Sequence, residues 1–310
     1  MSKTIQMLGY ASGLGAALQG AADGPLVMQE SLYLRELINE GANIEWQKII
    51  SPPLVSAKPK SDLIIEACQQ LAQETAKLVR DKKFFTVLGG DHSSAIGTWS
   101  GVSHALKPEG SLGMIWVDAH MDSHTPETTP SGNIHGMPVA CLLGRGLPAL
   151  IEILNNEPKI KPENLALIGI RSFEEGEAAL LKELNVRIFY MDEVKERGLQ
   201  AVMQDALRIA TQDTEGLGIS IDIDSLAPEE APGTGYPVAH GIAVNDLIAA
   251  LKTVRDNPLL TGVEIVEFDP HKDKNRKTEK VIARLLAVLA LGYDYVDFKS
   301  CCKDTADASC

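Results

Sequence analysis

No apolar run in this 310-residue chain approaches the roughly 20 residues needed to cross a bilayer. The first residues, MSKTIQMLGYASGLG, also lack the charged, then apolar, then small-residue order of a cleaved signal. No membrane association is expected, and a cytoplasmic location is. Cysteine is scarce, with five in all, and the odd total argues against a disulfide framework. Cys68 and Cys141 lie in apolar, helix-like surroundings. Cys301, Cys302 and Cys310 crowd a polar tail without zinc-knuckle spacing, and no role is assigned to them. Positive charge is also in deficit: 29 Lys and Arg against 42 Asp and Glu give a formal charge of −13. That balance excludes nucleic acid and anionic membrane surfaces as expected partners and favours cationic ligands. The glycine-rich loop from Gly9 to Gly24 contains neither G-x-G-x-x-G nor G-K-[ST], so a nucleotide-binding reading is set aside.

Hydrophobic residues make up 45% of the chain, enough to fill a substantial core. Short, nearly all-apolar runs read as strands: Thr4 to Leu8, Asn43 to Ile50, Phe84 to Leu88, Leu112 to Val117, Leu165 to Ile170, Val186 to Met191, Leu217 to Ile223 and Val263 to Phe268. Helical periodicity fills most intervals, over Leu26 to Asn39, a long helix capped by Ser61, one from about Ala95, Glu175 to Leu184, Leu199 to Thr211, Val244 to Val254 and Asn275 to Leu291. Apolar strands alternating with helices imply a parallel sheet covered on both faces. About eight strands could also close into a barrel, and the pattern alone leaves both open. With no repeat, low-complexity tract or linker, one domain is expected.

The stretch MIWVDAHMDSHTPETTPSGNIHGMP, Met114 to Pro138, carries the densest chemistry. Asp118, His120 and Asp122 stand at alternating positions after an apolar strand. In an extended backbone such side chains point the same way and could converge on one ion. The strand Phe84 to Leu88 ends at Asp91-His92, and Leu217 to Ile223 contributes Asp222 and Asp224, again two apart. Burying two carboxylates at the end of a strand of Ile and Gly is very costly unless something pairs with them. Six donors, four Asp and two His, are too many for one tetrahedral zinc and suit a bridged pair of oxygen-preferring ions such as Mn²⁺.

In order and spacing, Gly-Gly-Asp91-His92-Ser, Asp118-Ala-His120-Met-Asp122 and Ser220-Ile-Asp222-Ile-Asp224 resemble the three signatures of the arginase/agmatinase (ureohydrolase) family, and Glu267-Phe-Asp-Pro270 adds a further match. The resemblance covers nearly the whole chain. It implies an α/β fold, a three-layer α/β/α sandwich on an eight-stranded, mostly parallel sheet. Residues 1–299 would form a single catalytic domain, followed by the Cys-containing tail at 300–310. The implied cofactor is two Mn²⁺ per chain, held by His92, Asp118, His120, Asp122, Asp222 and Asp224, with Asp118 and Asp222 among the bridging carboxylates. The implied reaction is hydrolysis of a guanidinium group by a hydroxide the two ions share.

By the same matching, His135, Glu267 and Asp122 are the expected catalytic residues. His135 matches a proton-shuttling histidine, and Glu267 the glutamate that pairs with the substrate guanidinium. The donor-rich loop from Thr125 to Asn133 resembles the version that grips an amino acid, so Thr129, Ser131 and Asn133 are expected at the substrate, with Glu174 near its α-ammonium and Glu177 also among the substrate-binding residues. His124 stands where an asparagine is usual, and it is included among the substrate-binding residues. L-arginine is therefore the expected substrate, with urea and L-ornithine as products. Agmatine or another guanidino acid such as 4-guanidinobutyrate is the alternative. A regulator that keeps the fold and binds ligand without turnover is opposed by the intact set of ligands. A two-metal phosphoesterase would need cationic phosphate clamps that the motif loops lack. Trimers and hexamers are common among similar proteins, so a homo-oligomer is expected.

Overall fold

The computed structural model describes residues 3–53, 55–107 and 110–299. The tail at 300–310, with Cys301, Cys302 and Cys310, lies outside the described residues. In chain order the elements begin β1 (Ile5–Tyr10), α1 (Gly24–Gln29), α2 (Leu32–Asn39), β2 (Ile44–Ile50), α3 (Lys60–Arg80), β3 (Phe85–Gly89), α4 (Ser94–Leu106) and β4 (Leu112–Val117). They continue with α5 (Pro138–Leu142), α6 (Pro148–Ile151), β5 (Ile160–Ile170), α7 (Glu175–Glu183), β6 (Arg187–Tyr190), α8 (Met191–Arg197) and α9 (Leu199–Ala210). The last are β7 (Gly216–Asp222), α10 (Val244–Val254), β8 (Leu260–Val266) and α11 (Lys277–Leu291).

The eight strands form one sheet in the order β2-β1-β3-β8-β7-β4-β5-β6. Every pairing is parallel, so the sheet is all-parallel rather than mostly so. It is open, which removes the barrel. The edges explain themselves: β2 exposes Glu45 and Lys48, charges that discourage further pairing, and β6 is only four residues long.

Side chains alternate between two cores. On β4, Ile115 and Val117 face one way and pack with α2 and α8 to α11, while Met114 and Trp116 face the other and pack with α3 to α7. That period-2 division, repeated across the central strands, is what makes both faces apolar and gives the three layers.

Several element boundaries differ from the sequence reading. The run from Leu26 to Asn39 is two helices, because Ser31 turns extended and its hydroxyl caps α2 at Leu34 N–H. The long helix starts at Lys60 with Pro59 as its cap residue, and the Pro59 carbonyl accepts from Asp62 and Leu63. Ser61 is therefore inside the first turn instead of capping it. The last helix starts at Lys277, since Asn275 and Arg276 both adopt left-handed backbone. β5 begins five residues earlier than its apolar run because Ile160 pairs with Leu112 before the register shifts.

Candidate active site

Four strands adjacent in the sheet, β3, β8, β7 and β4, deliver the polar residues at their carboxyl ends. β3 and β4 are consecutive in sequence yet separated by β8 and β7. A crevice opens at such a point of an open parallel sheet. Register aligns the groups: Val117 pairs with Ile221, so Asp118 and Asp222 leave their strands side by side, and Leu88 pairs with Ile265, which brings the Gly89-Gly90 turn level with Glu267. Glu267 N–H donates to Gly90 O at 2.8 Å. Gly90 admits no side chain, since a Cβ would lie 2.1 Å from Ser12 O.

The three motifs converge, though by turns and not by extended backbone. β4 ends at Val117, Asp122 has φ 49°, and Asp224 sits in a 3-10 turn after β7. Each turn is held by its own carboxylate: Asp118 Oδ1 accepts from His120 N–H at 2.7 Å, and Asp222 Oδ1 accepts from Asp224 N–H at 2.7 Å. Trp116 Nε1 donates to Asp118 Oδ2 at 3.0 Å, and its ring stacks on His92 with centroids 4.2 Å apart.

His92 Nδ1 then lies 3.3 Å from Asp118 Oδ2, 2.9 Å from Asp122 Oδ2 and 3.2 Å from Asp222 Oδ2. It makes no hydrogen bond, although it is buried. His120 Nδ1 lies 3.1 Å from Asp224 Oδ2 and 3.6 Å from Asp118 Oδ1. Two groups able to hold a metal result, His92 with Asp118 and Asp222, and Asp118 with His120 and Asp224, sharing Asp118. A buried, orphaned ring nitrogen aimed at three carboxylate oxygens fits a cation, not a hydrogen bond.

The electrostatics agree. Burial, then repulsion from Asp224 and Asp118, pushes the Asp222 carboxyl well above its usual range, and burial followed by Asp118 raises Asp122. Asp224 rises to about 6, again chiefly through burial. Carboxylates packed this closely repel one another, and cations would relieve that cost.

Above the cluster is a cavity of about 280 Å³. Every other site residue expected from sequence lines it, and His92 and Asp118 are buried beneath its floor. Glu267, at φ 62°, accepts from His92 N–H at 2.9 Å and pairs with His135 Nδ1 at 3.0 Å. Burial opposes a charge on the His135 ring, but the Glu267 hydrogen bond and its charge outweigh it, and the ring rises to about 9. Burial likewise works against the Glu267 carboxylate, which His135 nonetheless holds below the usual glutamate range.

At the far end, His124 Nε2 donates to Glu174 Oε2 at 3.0 Å, while Thr128 Oγ1 bonds the other ring nitrogen at 3.1 Å. Glu177 has both oxygens engaged, accepting from Ser123 N–H at 3.1 Å and Glu174 N–H at 3.0 Å as part of the capping box of α7. Burial, foremost, raises Glu177 to about 8. Thr129 Oγ1 and Ser131 Oγ accept from Gly132 and Asn133 N–H, which leaves their hydroxyl protons free to donate.

A scan against protein-family models matches residues 3–292 to the Arginase family. The chain belongs to the arginase family. Family membership makes it a hydrolase, and its clustered His and Asp side chains are consistent with a binuclear site. Among curated arginase-family proteins, the arginase of Bacillus subtilis (strain 168) is 38% identical over 296 residues, covering 93% of this chain and 98% of that one. The crystal structure of arginase from Bacillus subtilis superposes with a TM-score of 0.86 at 37% identity, covering 95% of this chain and 100% of the other. The Entamoeba histolytica arginase in complex with L-ornithine gives 0.84 at 30% identity, covering 93% and 99%.

Three residues of the site have no counterpart in the sequence reading. Tyr236 lines the cavity, its ring 5.2 Å from that of His135, and nothing in its glycine-rich surroundings announces it. Arg171 donates to the carbonyls of Gly169, Asp224, Ser225, Val238 and Ala239, and so draws the loop after β7 onto β5. Glu264 lies fully buried within β8, and a charged residue in the middle of an apolar strand was its signal.

Proposed function

We propose that the protein hydrolyses the guanidinium group of L-arginine to urea and L-ornithine, with two Mn²⁺ per chain. The observation that carries this reading is the pair of metal-competent groups sharing Asp118, set below a cleft that contains Glu267 and His135. His92, Asp118, His120, Asp122, Asp222 and Asp224 would together hold the two ions. Divalent cations bound there would supply a water acidic enough to act as nucleophile near neutral pH.

The chain's own residues do the rest. Glu267, fixed by His92 N–H, offers a carboxylate to the planar guanidinium and orients its carbon toward the cluster. Attack yields a tetrahedral carbon whose collapse expels an amine, and that amine needs a proton. His135, kept charged by its acid partner Glu267, would give it. Thr129, Ser131 and Asn133 present donors for an α-carboxylate, and the exposed Glu174 presents charge to an α-ammonium. The Entamoeba histolytica relative, solved with L-ornithine, supports a small amino acid at this end.

One observation favours a second reading. The Glu174 oxygen that could meet an α-ammonium already accepts from His124, which weakens the case for an amino acid and favours a guanidino acid without that group. Urea release with Mn²⁺ from arginine, agmatine and 4-guanidinobutyrate, measured side by side, separates these. Arginine is expected to be fastest. Preference for 4-guanidinobutyrate would establish the second reading, preference for agmatine would overturn both, and no urea from any substrate would leave a metal-binding protein of this fold.

A further inference from the structure

The Glu264 carboxylate does not line the cavity. It is fully buried in β8, on the far side of Ser220 from the metal-competent cluster. Four donors converge on it. Ser94 Oγ and Thr98 Oγ1 bond Oε1 at 2.9 and 2.6 Å, and Trp99 Nε1 and Ser220 Oγ bond Oε2 at 3.1 Å each. Burial pushes its carboxyl above the usual glutamate range, while hydrogen bonds from the hydroxyls of Thr98, Ser94 and Ser220 pull against that. A buried carboxylate caged this fully is costly to assemble, and apolar packing alone does not require it.

Hydrogen-bond polarity shows what it could do. Trp99 Nε1 can only donate, so Oε2 accepts. Ser220 spends its single proton on the same oxygen, and its own oxygen is left to accept from His92 Nε2 at 2.9 Å. His92 must then carry its proton on Nε2. Its Nδ1 lone pair is left facing Asp118, Asp122 and Asp222, in agreement with the absence of any hydrogen bond there. Trp116 stacked on the ring fixes its plane, and Ser220 fixes its rotation.

We propose that Glu264 is a positioning residue which, through Ser220, sets the tautomer and orientation of His92 for metal binding. The proposal rests on the cluster holding cations, as read above. Outer partners of this kind typically account for about 10- to 100-fold in metal affinity. The two groups of donors give the prediction a direction, because only the one containing His92 is attached to Glu264.

The test is calorimetric titration of the metal-free protein with Mn²⁺, with thermal unfolding recorded alongside. Ser220→Ala removes the link. It should weaken one of two binding steps by about 10- to 100-fold while leaving the other unchanged. Glu264→Gln must keep its amide oxygen toward Trp99 and Ser220, so it preserves the link and removes only the charge. It should weaken the same step by a smaller factor. Ser220→Thr, which retains a hydroxyl, should restore most of the loss. Two wild-type steps in both Ser220→Ala and Glu264→Gln would overturn the proposal, as would equal weakening of both steps, the mark of a merely structural role. Absence of Mn²⁺ binding in the wild type would overturn the reading of the cluster itself, along with the proposal.

Discussion

The cluster at the strand ends and the loop from His124 to Asn133 are adjacent in sequence but are held in opposite ways. In the cluster, carboxylates are locked by backbone N–H groups, by Trp116 and by strands paired on both sides, and Asp118 and His92 are essentially sealed from solvent. In the loop, hydrogen bonds run mostly between residues two to four apart, and Thr128, Ser131 and Gly132 are exposed. On the proposed function, the rigid part would serve chemistry common to many guanidines, and the loop would read which guanidine is present and could change without disturbing the sheet.

Substitutions should separate the two regions. Asp118→Asn, which strips the carboxylate common to both metal-competent groups, should reduce turnover to background and lower bound Mn²⁺ below two per chain, as read by metal analysis of the purified protein. His135→Asn should lower kcat by about 10²-fold or more at undiminished metal content, because only proton transfer is removed. Equal loss of metal in that variant would move His135 into the cluster. His124→Asn should release Glu174 and lower KM for arginine by roughly 3- to 10-fold, the order of one hydrogen bond, with kcat nearly unchanged. A rise in KM would show that His124 itself grips the substrate. Thr129→Ala should have the smallest effect, a rise in KM of a few-fold, and a shift in unfolding free energy within about 0.5 kcal/mol, as for other surface substitutions away from the core.

The same contrast governs what could be read from sequence. The central strands announce themselves because both faces are covered, so their residues are apolar throughout. Helix ends do not, since Ser31, Pro59 and Arg276 set boundaries through backbone angles that several residue types can adopt. Asp118, His120 and Asp122 were visible as a spacing, but their convergence depends on a left-handed Asp122 that no spacing encodes. Glu264 and Arg171 act through partners up to 170 residues away, which only the sheet order brings together. His124 was recognisable as a departure, whereas its bond to Glu174 required the fold.

Anomalous diffraction at the manganese edge, from crystals soaked in Mn²⁺, bears most directly on the shared cluster. Two peaks are predicted, one beside His92 and one beside His120, with Asp118 between them. A single peak, or a peak displaced to His124, Glu174 and Glu177, the one other metal-competent group among the described residues, would contradict it.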